Sequence, residues 1–268
     1  MNKLAPLFSP AALCAWLIAI CMGFSIIGSN ASRTIALTQH SKFGAAKVYF
    51  PIEMRRWDEA LFNLLYARSK SDMADFLKSA EQDVANRSGD PDYSGWKAYD
   101  QTVRYIEQFR SPTLVSYLEV TTTAAGRAVP ATEFKTINFD KVAKREMTLG
   151  DFVEGAVDRS KTLNALSEYM RADLKDQTGE DEESEALFDA TKPDLAPYEK
   201  FTLCPSTKGG KAAGLTFHLA PNAISSFPES HFHVTIPYTV FSKFLKFQMR
   251  PLFTGEPRQI PVDLRDES

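Results

Sequence analysis

The sequence predicts an α+β protein, with one or more antiparallel sheets packed with a few helices behind an N-terminal hydrophobic export helix. An apolar segment without charged residues occupies residues 11–27, close to the start of the chain. The helical and strand patterns that follow are grouped along the chain and do not strictly alternate, and no internal repeat is evident. Grouping of this kind favours an α+β fold over a doubly wound parallel sheet.

The charge balance of the chain argues against nucleic acid as a partner. The 268 residues include 31 basic and 34 acidic side chains. Such a surface lacks the excess of Lys and Arg that counterion release from a phosphate backbone requires. A cationic protein or a polycationic ligand matches this composition better.

Residues 1–31 are predicted to be a signal peptide or a membrane anchor. The apolar stretch of 17 residues is long for the core of a signal peptide and just short for a transmembrane helix. Ser29 and Ala31 then supply the small side chains that signal peptidase requires, which favours cleavage after Ala31. The alternative is an uncleaved anchor, for which Lys3 is compatible with a cytoplasmic N-terminus. Whether the segment is cleaved or retained, the rest of the chain is predicted to be periplasmic or extracytoplasmic. It is attached to the inner membrane only if the segment is retained.

The next segment, residues 32–46, is polar and small and is expected to be a flexible lead-in. The α+β domain then spans residues 47–250, and its N-terminal half is residues 47–140. A short strand is predicted at 48–50. A helix follows it, because apolar residues from Trp57 to about Glu81 recur at spacings of three and four. Three segments rich in β-branched and aromatic residues predict strands, the first two forming an antiparallel hairpin: 96–109, 113–123 and 134–139.

The C-terminal half of the domain is residues 141–250. Thr148 and Asp151 have the spacing of a helix-capping pair, and a second amphipathic helix runs to about Leu174. Two alternating strands joined by a Gly-Gly turn, a third strand and a short helix follow: 201–204, 215–219, 232–236 and 237–247. Residues 251–268 are rich in proline and charge and are expected to form a trailing tail.

No local catalytic signature is present, so we expect no catalytic residue, no cofactor-binding residue and no cofactor. The candidate metal ligands are three histidines. His231 and His233 share a face of one strand, and His218 takes the outward phase of another, so adjacent strands would bring three imidazoles towards one zinc ion. The alternative is a set of exposed imidazoles on a solvated sheet face.

Cys204, the lone cysteine after the predicted export segment, is expected to be buried and inert.

Several motifs resemble a bacterial extracytoplasmic domain. The passages at 136–140 (TINFD) and 147–152 (MTLGDF) are similar to its passage of a nonpolar residue and Asp followed by Thr-Leu-x-Asp-Leu-Phe. The segment 232–238 (FHVTIPY) is similar to its final strand and its Ile-Pro-Tyr entry into the last helix. This domain occurs in the anti-sigma-V factor that senses lysozyme and beside the catalytic part of a peptidoglycan deacetylase. Where that family often carries Gly-Gly-Ala-His, this chain has Ala-Gly-Arg-Ala-Val-Pro at 125–130, so it has no counterpart of that histidine.

The resemblance implies a non-catalytic module that binds an envelope ligand, such as a lysozyme-like protein or peptidoglycan. Two alternatives remain open. One is an inhibitor or accessory of a neighbouring envelope enzyme, and the other is a small metal-dependent envelope hydrolase that uses His218, His231 and His233. Enzymatic activity is therefore left open, with a non-catalytic role favoured. A cytoplasmic sigma-factor contact is not expected, because only about ten residues precede the hydrophobic segment.

Overall fold

The protein has the predicted α+β fold and contains two separate sheets. The computed structural model describes residues 34–87, 98–125, 130–154, 159–181, 184–219, 223–224 and 231–258. Within these ranges, no helix combines the length and the apolar character needed to cross a membrane. The predicted export segment, including the cleavage site at Ala31, lies outside the described residues. The described residues from Ile35 onward belong to one compact unit.

The larger sheet has six strands in chain order. They are β1 (Thr34–His40), β2 (Gly44–Pro51), β3 (Tyr99–Arg110), β4 (Leu114–Ala124), β5 (Ala131–Asp140) and β6 (Arg145–Glu146). The pairs from β3 to β6 are antiparallel, which confirms the predicted hairpin and third strand. The sheet is not purely antiparallel, however, because β2 and β3 run parallel.

Helices α1 (Ile52–Trp57) and α2 (Glu59–Arg87) lie between these two parallel strands in the chain. Parallel neighbours require a long crossover connection, and a helix usually supplies it. Of the apolar positions predicted from their spacing, Leu61, Leu65 and Leu77 are buried, whereas Trp57 and Leu64 are exposed. The predicted helix is therefore confirmed, and it acts as the crossover of the sheet.

The segment that the sequence indicated as a flexible lead-in is ordered from residue 34 onward. It forms β1 and the beginning of β2, where alternate residues such as Ala46 and Val48 are buried. The sequence did not predict β1 or the beginning of β2 because their residues include few large apolar side chains. In the structure, buried and more exposed residues nevertheless alternate along both strands.

The second half of the chain places helices on one face of a three-stranded antiparallel sheet. Its helices are α3 (Leu149–Phe152), α4 (Arg159–Thr178), α5 (Glu185–Ala190) and α6 (Tyr238–Phe241), and its strands are β7 (Phe201–Pro205), β8 (Ala212–Leu219) and β9 (Phe232–Pro237). The predicted capping pair is present, because the Thr148 amide donates to the Asp151 carboxylate at 2.8 Å. The predicted β7–β8 hairpin is confirmed as well.

The expected tail is partly ordered. The backbone from Phe247 to Leu252 forms 3-10 turns, and Phe253 is buried in the main core. The Thr254 amide donates to the Ala212 carbonyl at 2.8 Å, which fixes this segment beside β8. The remainder of the predicted tail, residues 259–268, lies outside the described residues.

Two buried polar side chains join the sheets. Ser116 on β4 donates its hydroxyl to Asn138 on β5 at 2.6 Å, and the Asn138 amide donates to the carbonyl oxygen of Phe201 at 2.8 Å. The Ser116 hydroxyl oxygen also accepts the amide of Leu203 at 3.1 Å. Since β7 is an edge strand of the smaller sheet, these side chains satisfy backbone groups that no neighbouring strand pairs. The larger sheet thereby covers the open edge of the smaller one.

Gly214 is required where the central strand β8 approaches β9. A Cβ atom at this position would overlap the backbone carbonyl of Ile236. Because sheet backbone cannot move aside, we expect Gly214→Ala to lower the free energy of unfolding by about 1–3 kcal/mol. Urea denaturation measures this change. Gly209→Ala is the matched control, since open space surrounds Gly209, and a similar loss in both variants would contradict the steric explanation.

Candidate ligand-binding cleft

The structure brings the three predicted histidines together, but around an aromatic ring. The ring of Phe134 on β5 lies with its centroid 4.9 Å from His231, 5.6 Å from His233 and 6.3 Å from His218. His218 takes the opposite phase of β8 to Phe217 and Leu219, but it is only 2% exposed, so this face of the strand is not solvated. The reason is that the larger sheet covers this end of the smaller one, which a strand pattern cannot reveal.

Hydrogen bonds fix the positions of the buried histidine rings, and burial favours their neutral forms. The Nδ1 atoms of His218 and His233 are 3.0 Å apart, and His218 Nε2 is 2.8 Å from the Thr202 hydroxyl. An N–H···N bond requires one ring nitrogen to donate and the other to accept. Burial, with His233 nearby, lowers the pKa of His218 to about 3, and burial also lowers the pKa of His233.

This arrangement is packing rather than a metal centre. In the part of the chain that the structure describes, no three His, Cys, Asp or Glu side chains converge as metal ligands. Both Nδ1 atoms of the closest pair already bond to each other, and His231 Nδ1 is buried without a hydrogen-bond partner among the described residues. The three imidazoles therefore form part of the contact between the two sheets.

Cys204 is buried, as predicted. Burial raises the pKa of its thiol, and the Sγ atom lies 3.6 Å and 3.7 Å from the carbonyl oxygens of Pro205 and Arg258. A protonated thiol that faces carbonyl oxygens is a poor nucleophile. Nothing here activates it for catalysis.

A polar cleft of about 220 Å³ lies between α2 and the larger sheet. We call it the α2 cleft. Ser69, Asp72 and Met73 of α2 form one wall, and the other walls come from β2 to β5. Opposite Asp72 stand hydroxyl, amide and charged side chains of the sheet: Gln101, Tyr105, Glu119, Thr121, Thr123, Glu133 and Lys135.

An ion pair lies at the base of the α2 cleft. The Glu119 side chain is only 4% exposed and accepts a hydrogen bond from Arg68 at 2.9 Å, with Lys135 Nζ at 3.5 Å. Burial opposes the charge on Arg68, but the neighbouring carboxylate of Glu119 raises the pKa of Arg68 overall. Tyr105 and Ser69 share a hydrogen bond of 3.2 Å beside this pair. The cationic partners already neutralise Glu119.

Two carboxylates at the cleft differ from Glu119 in having no such partner. Asp72 on α2 and Glu133 on β5 are exposed, and neither makes an ion pair within the described residues. The cross-strand neighbour of Glu133 is Thr121, which is neutral. The three carboxylates of Asp72, Glu119 and Glu133 therefore exceed the two cations Arg68 and Lys135 by one negative charge, and the cleft also carries hydroxyl and amide groups that can bind a polar ligand.

Sequence reasoning missed this cleft, although one signal was present. Val115, Tyr117, Glu119 and Thr121 occupy the same phase of β4. A single carboxylate in line with two core side chains indicates either a buried ion pair or a site. Asp72 carried no such signal, because a charged residue on the polar side of a helix is ordinary.

The described residues form an α+β domain with a polar cleft and no recognisable catalytic centre. Solved structures with a similar α+β fold exist. A DUF3298 family member from Bacteroides fragilis NCTC 9343 has a TM-score of 0.56 and 15% identity, covering 81% of this chain and 94% of its own. A DUF3298 family protein from Pseudomonas aeruginosa PAO1 has a TM-score of 0.51 and 14% identity, covering 84% of this chain and 96% of its own. These similarities show a shared fold, that of a domain of unknown function.

No protein-family model matches the chain, and no curated protein matches it either. The neighbours therefore describe the fold and leave the ligand to be inferred from the side chains of the cleft.

Proposed function

We propose that this chain is a non-catalytic extracytoplasmic binding module, and that its ligand is a cationic protein of the lysozyme type that acts on the envelope. The observation that carries the proposal is the pair of carboxylates, Asp72 and Glu133, that line the α2 cleft without ion-pair partners in the described residues. A Lys or Arg side chain of a partner supplies the missing charge.

The chemistry of the cleft favours one inserted cationic side chain over a small apolar ligand. Its walls carry hydroxyl and amide groups, and its volume of about 220 Å³ accommodates a single long side chain. Charge-assisted hydrogen bonds to two carboxylates are stronger than bonds between neutral groups. Arg68 and Lys135 together exceed the charge of Glu119 by one, so the net negative charge of the cleft comes from Asp72 and Glu133.

Two further observations support the proposal. The motifs at 136–140, 147–152 and 232–238 resemble the extracytoplasmic domain of a lysozyme-sensing protein, and the overall charge is negative. The apolar segment at 11–27 supports a location outside the cytoplasm, with residues 1–31 cleaved after Ala31 or retained as an anchor.

Binding of c-type lysozyme and of isolated peptidoglycan sacculi, measured in parallel, tests this function. The full-length chain is expressed in a bacterium and purified in the form that the host produces. We expect saturable binding to lysozyme that weakens as salt rises, because exposed charges are screened. Binding to sacculi alone would replace the proposed partner with a wall polymer, and binding to neither would overturn the proposal. Lysozyme activity in the same titration separates a sensor from an inhibitor.

A further inference from the structure

A second pocket of about 220 Å³ lies between β3 and the turn that joins β7 to β8. We call it the hairpin pocket. Gln108 and Arg110 contribute from β3, Ser206 and Lys211 from the β7–β8 connection, and Arg258 from the C-terminal segment. It shares no lining residue with the α2 cleft.

Gln108 lines this pocket, and its side-chain amide carries an unused donor that is itself buried. The residue is only 5% exposed, and its side-chain Nε2 has no hydrogen-bond partner among the described residues. It lies at an irregularity of the β3–β4 ladder, where pairing shifts between Glu107 and Phe109. Bulges of this kind redirect a side chain and are frequent beside binding sites. An unpaired buried amide destabilises a fold unless a ligand satisfies it.

The charge that remains in the hairpin pocket is positive. Arg110 bonds to Glu107 and to Asp58, each at 2.5 Å, and Lys141 is 3.5 Å from Asp58, so these four charges balance. Arg258 is exposed and makes no ion pair within the described residues, and its backbone is held beside β7 because its amide donates to the Pro205 carbonyl at 2.8 Å.

Further donors line the same space. Lys211 Nζ donates to the Pro251 carbonyl at 2.7 Å and has no carboxylate partner in the described part of the chain. The Ser206 hydroxyl is buried and accepts the Lys208 amide at 3.0 Å, which leaves its own proton available. The amides of Gly209 and Gly210 have no acceptor among the described residues. Donors and positive charge thus outnumber acceptors.

We propose that the hairpin pocket binds a carboxylate, which accepts hydrogen bonds from Gln108 Nε2 and the Arg258 guanidinium. Its volume corresponds to about seven water molecules, which leaves room for a carboxylate with a short substituent. Capture of a carboxylate by backbone amides and a cationic side chain is a known mode of recognition of peptide C-termini. The carboxylate belongs either to a free small acid or to the C-terminus of a peptide.

A calorimetric titration of the purified full chain with N-acetylglycine tests the site, with N-acetylglycinamide as the neutral control. We expect saturable binding of the acid only. Gln108→Met and Arg258→Gln should each weaken it at least tenfold, whereas Lys192→Gln, which removes an exposed charge elsewhere, should leave it unchanged. A short peptide with a free C-terminus and its amidated form then distinguish the two sources of the carboxylate.

The unfolding midpoint of Gln108→Met provides a second readout. Because this variant replaces an unpaired buried amide with an apolar side chain of similar length, its ligand-free midpoint in urea should equal or exceed that of the unchanged protein. A large fall in the midpoint would show that the amide is structural and would overturn the proposal. Equal binding of acid and amide, or binding of neither, would overturn it as well. None of these outcomes depends on lysozyme binding at the α2 cleft.

Discussion

Replacing Arg110 with methionine is expected to lower the free energy of unfolding by about 3–5 kcal/mol, because removal of one partner leaves a buried charge without compensation. The Asp58 side chain is fully buried, and Arg110 bonds to it at 2.5 Å. Without Arg110, Lys141 Nζ at 3.5 Å is the one cation left beside Asp58 among the described residues, and Glu107 loses its guanidinium partner. Methionine fills the space but provides no charge. Urea denaturation at neutral pH measures the loss.

Arg145→Met is the matched control for this prediction. Arg145 is about half exposed and bonds to Asp151 at 2.7 Å on the surface. An exposed ion pair of this kind contributes at most about 1 kcal/mol. A loss at Arg110 no larger than the loss at Arg145 would contradict the view that the Asp58 network anchors β3 to the start of α2.

Stability is expected to fall steeply as the pH drops below 6.5, because the buried His218 must remain neutral in the folded protein. Burial lowers the pKa of His218 to about 3, whereas an unfolded histidine has its ordinary pKa near 6.5. Between these values the unfolded chain binds a proton that the folded chain does not, so the free energy of unfolding decreases as pH falls. At 1.36 kcal/mol per pH unit, His218 alone removes about 2 kcal/mol between pH 8 and pH 5.

Urea denaturation at pH 8, 7, 6 and 5 tests this expectation in His218→Gln beside the unchanged protein. Glutamine can still hydrogen-bond to Thr202 but takes up no proton, so the decrease from pH 8 to pH 5 should be about 2 kcal/mol smaller. His40→Gln serves as the control, because His40 is exposed at the end of β1. Equal pH dependence in His218→Gln and in the unchanged protein would contradict a neutral buried His218.

Most elements of the fold were predictable, because local patterns mark them. Alternation and β-branched residues identified β3, β4 and β5, and helical spacing identified α2. The parallel pairing of β2 with β3 was not predictable, since a pattern of side chains does not record strand direction. The covering of the histidine face of β8 by the larger sheet was not predictable either, because a strand pattern does not show what packs against it.

The candidate sites were less predictable than the elements that carry them. Asp72, Glu119 and Glu133 come from α2, β4 and β5, and only the packing of these elements brings them to one cleft. Gln108 depends on an irregularity in strand pairing that has no sequence signature in a polar stretch. The sequence allowed the histidines to converge if their strands were adjacent, and they do lie near one another, but around Phe134, which the sequence did not associate with them.

The dissociation constant for c-type lysozyme, compared between two double variants, tests the central claim most directly. Asp72→Asn with Glu133→Gln removes the unpaired charges of the α2 cleft, while Glu53→Gln with Glu168→Gln removes the same charge from exposed positions outside it. We expect the cleft variant to bind about tenfold more weakly, equivalent to about 1.4 kcal/mol, and the control variant to retain full affinity. Equal affinities of the two variants would contradict recognition at the cleft.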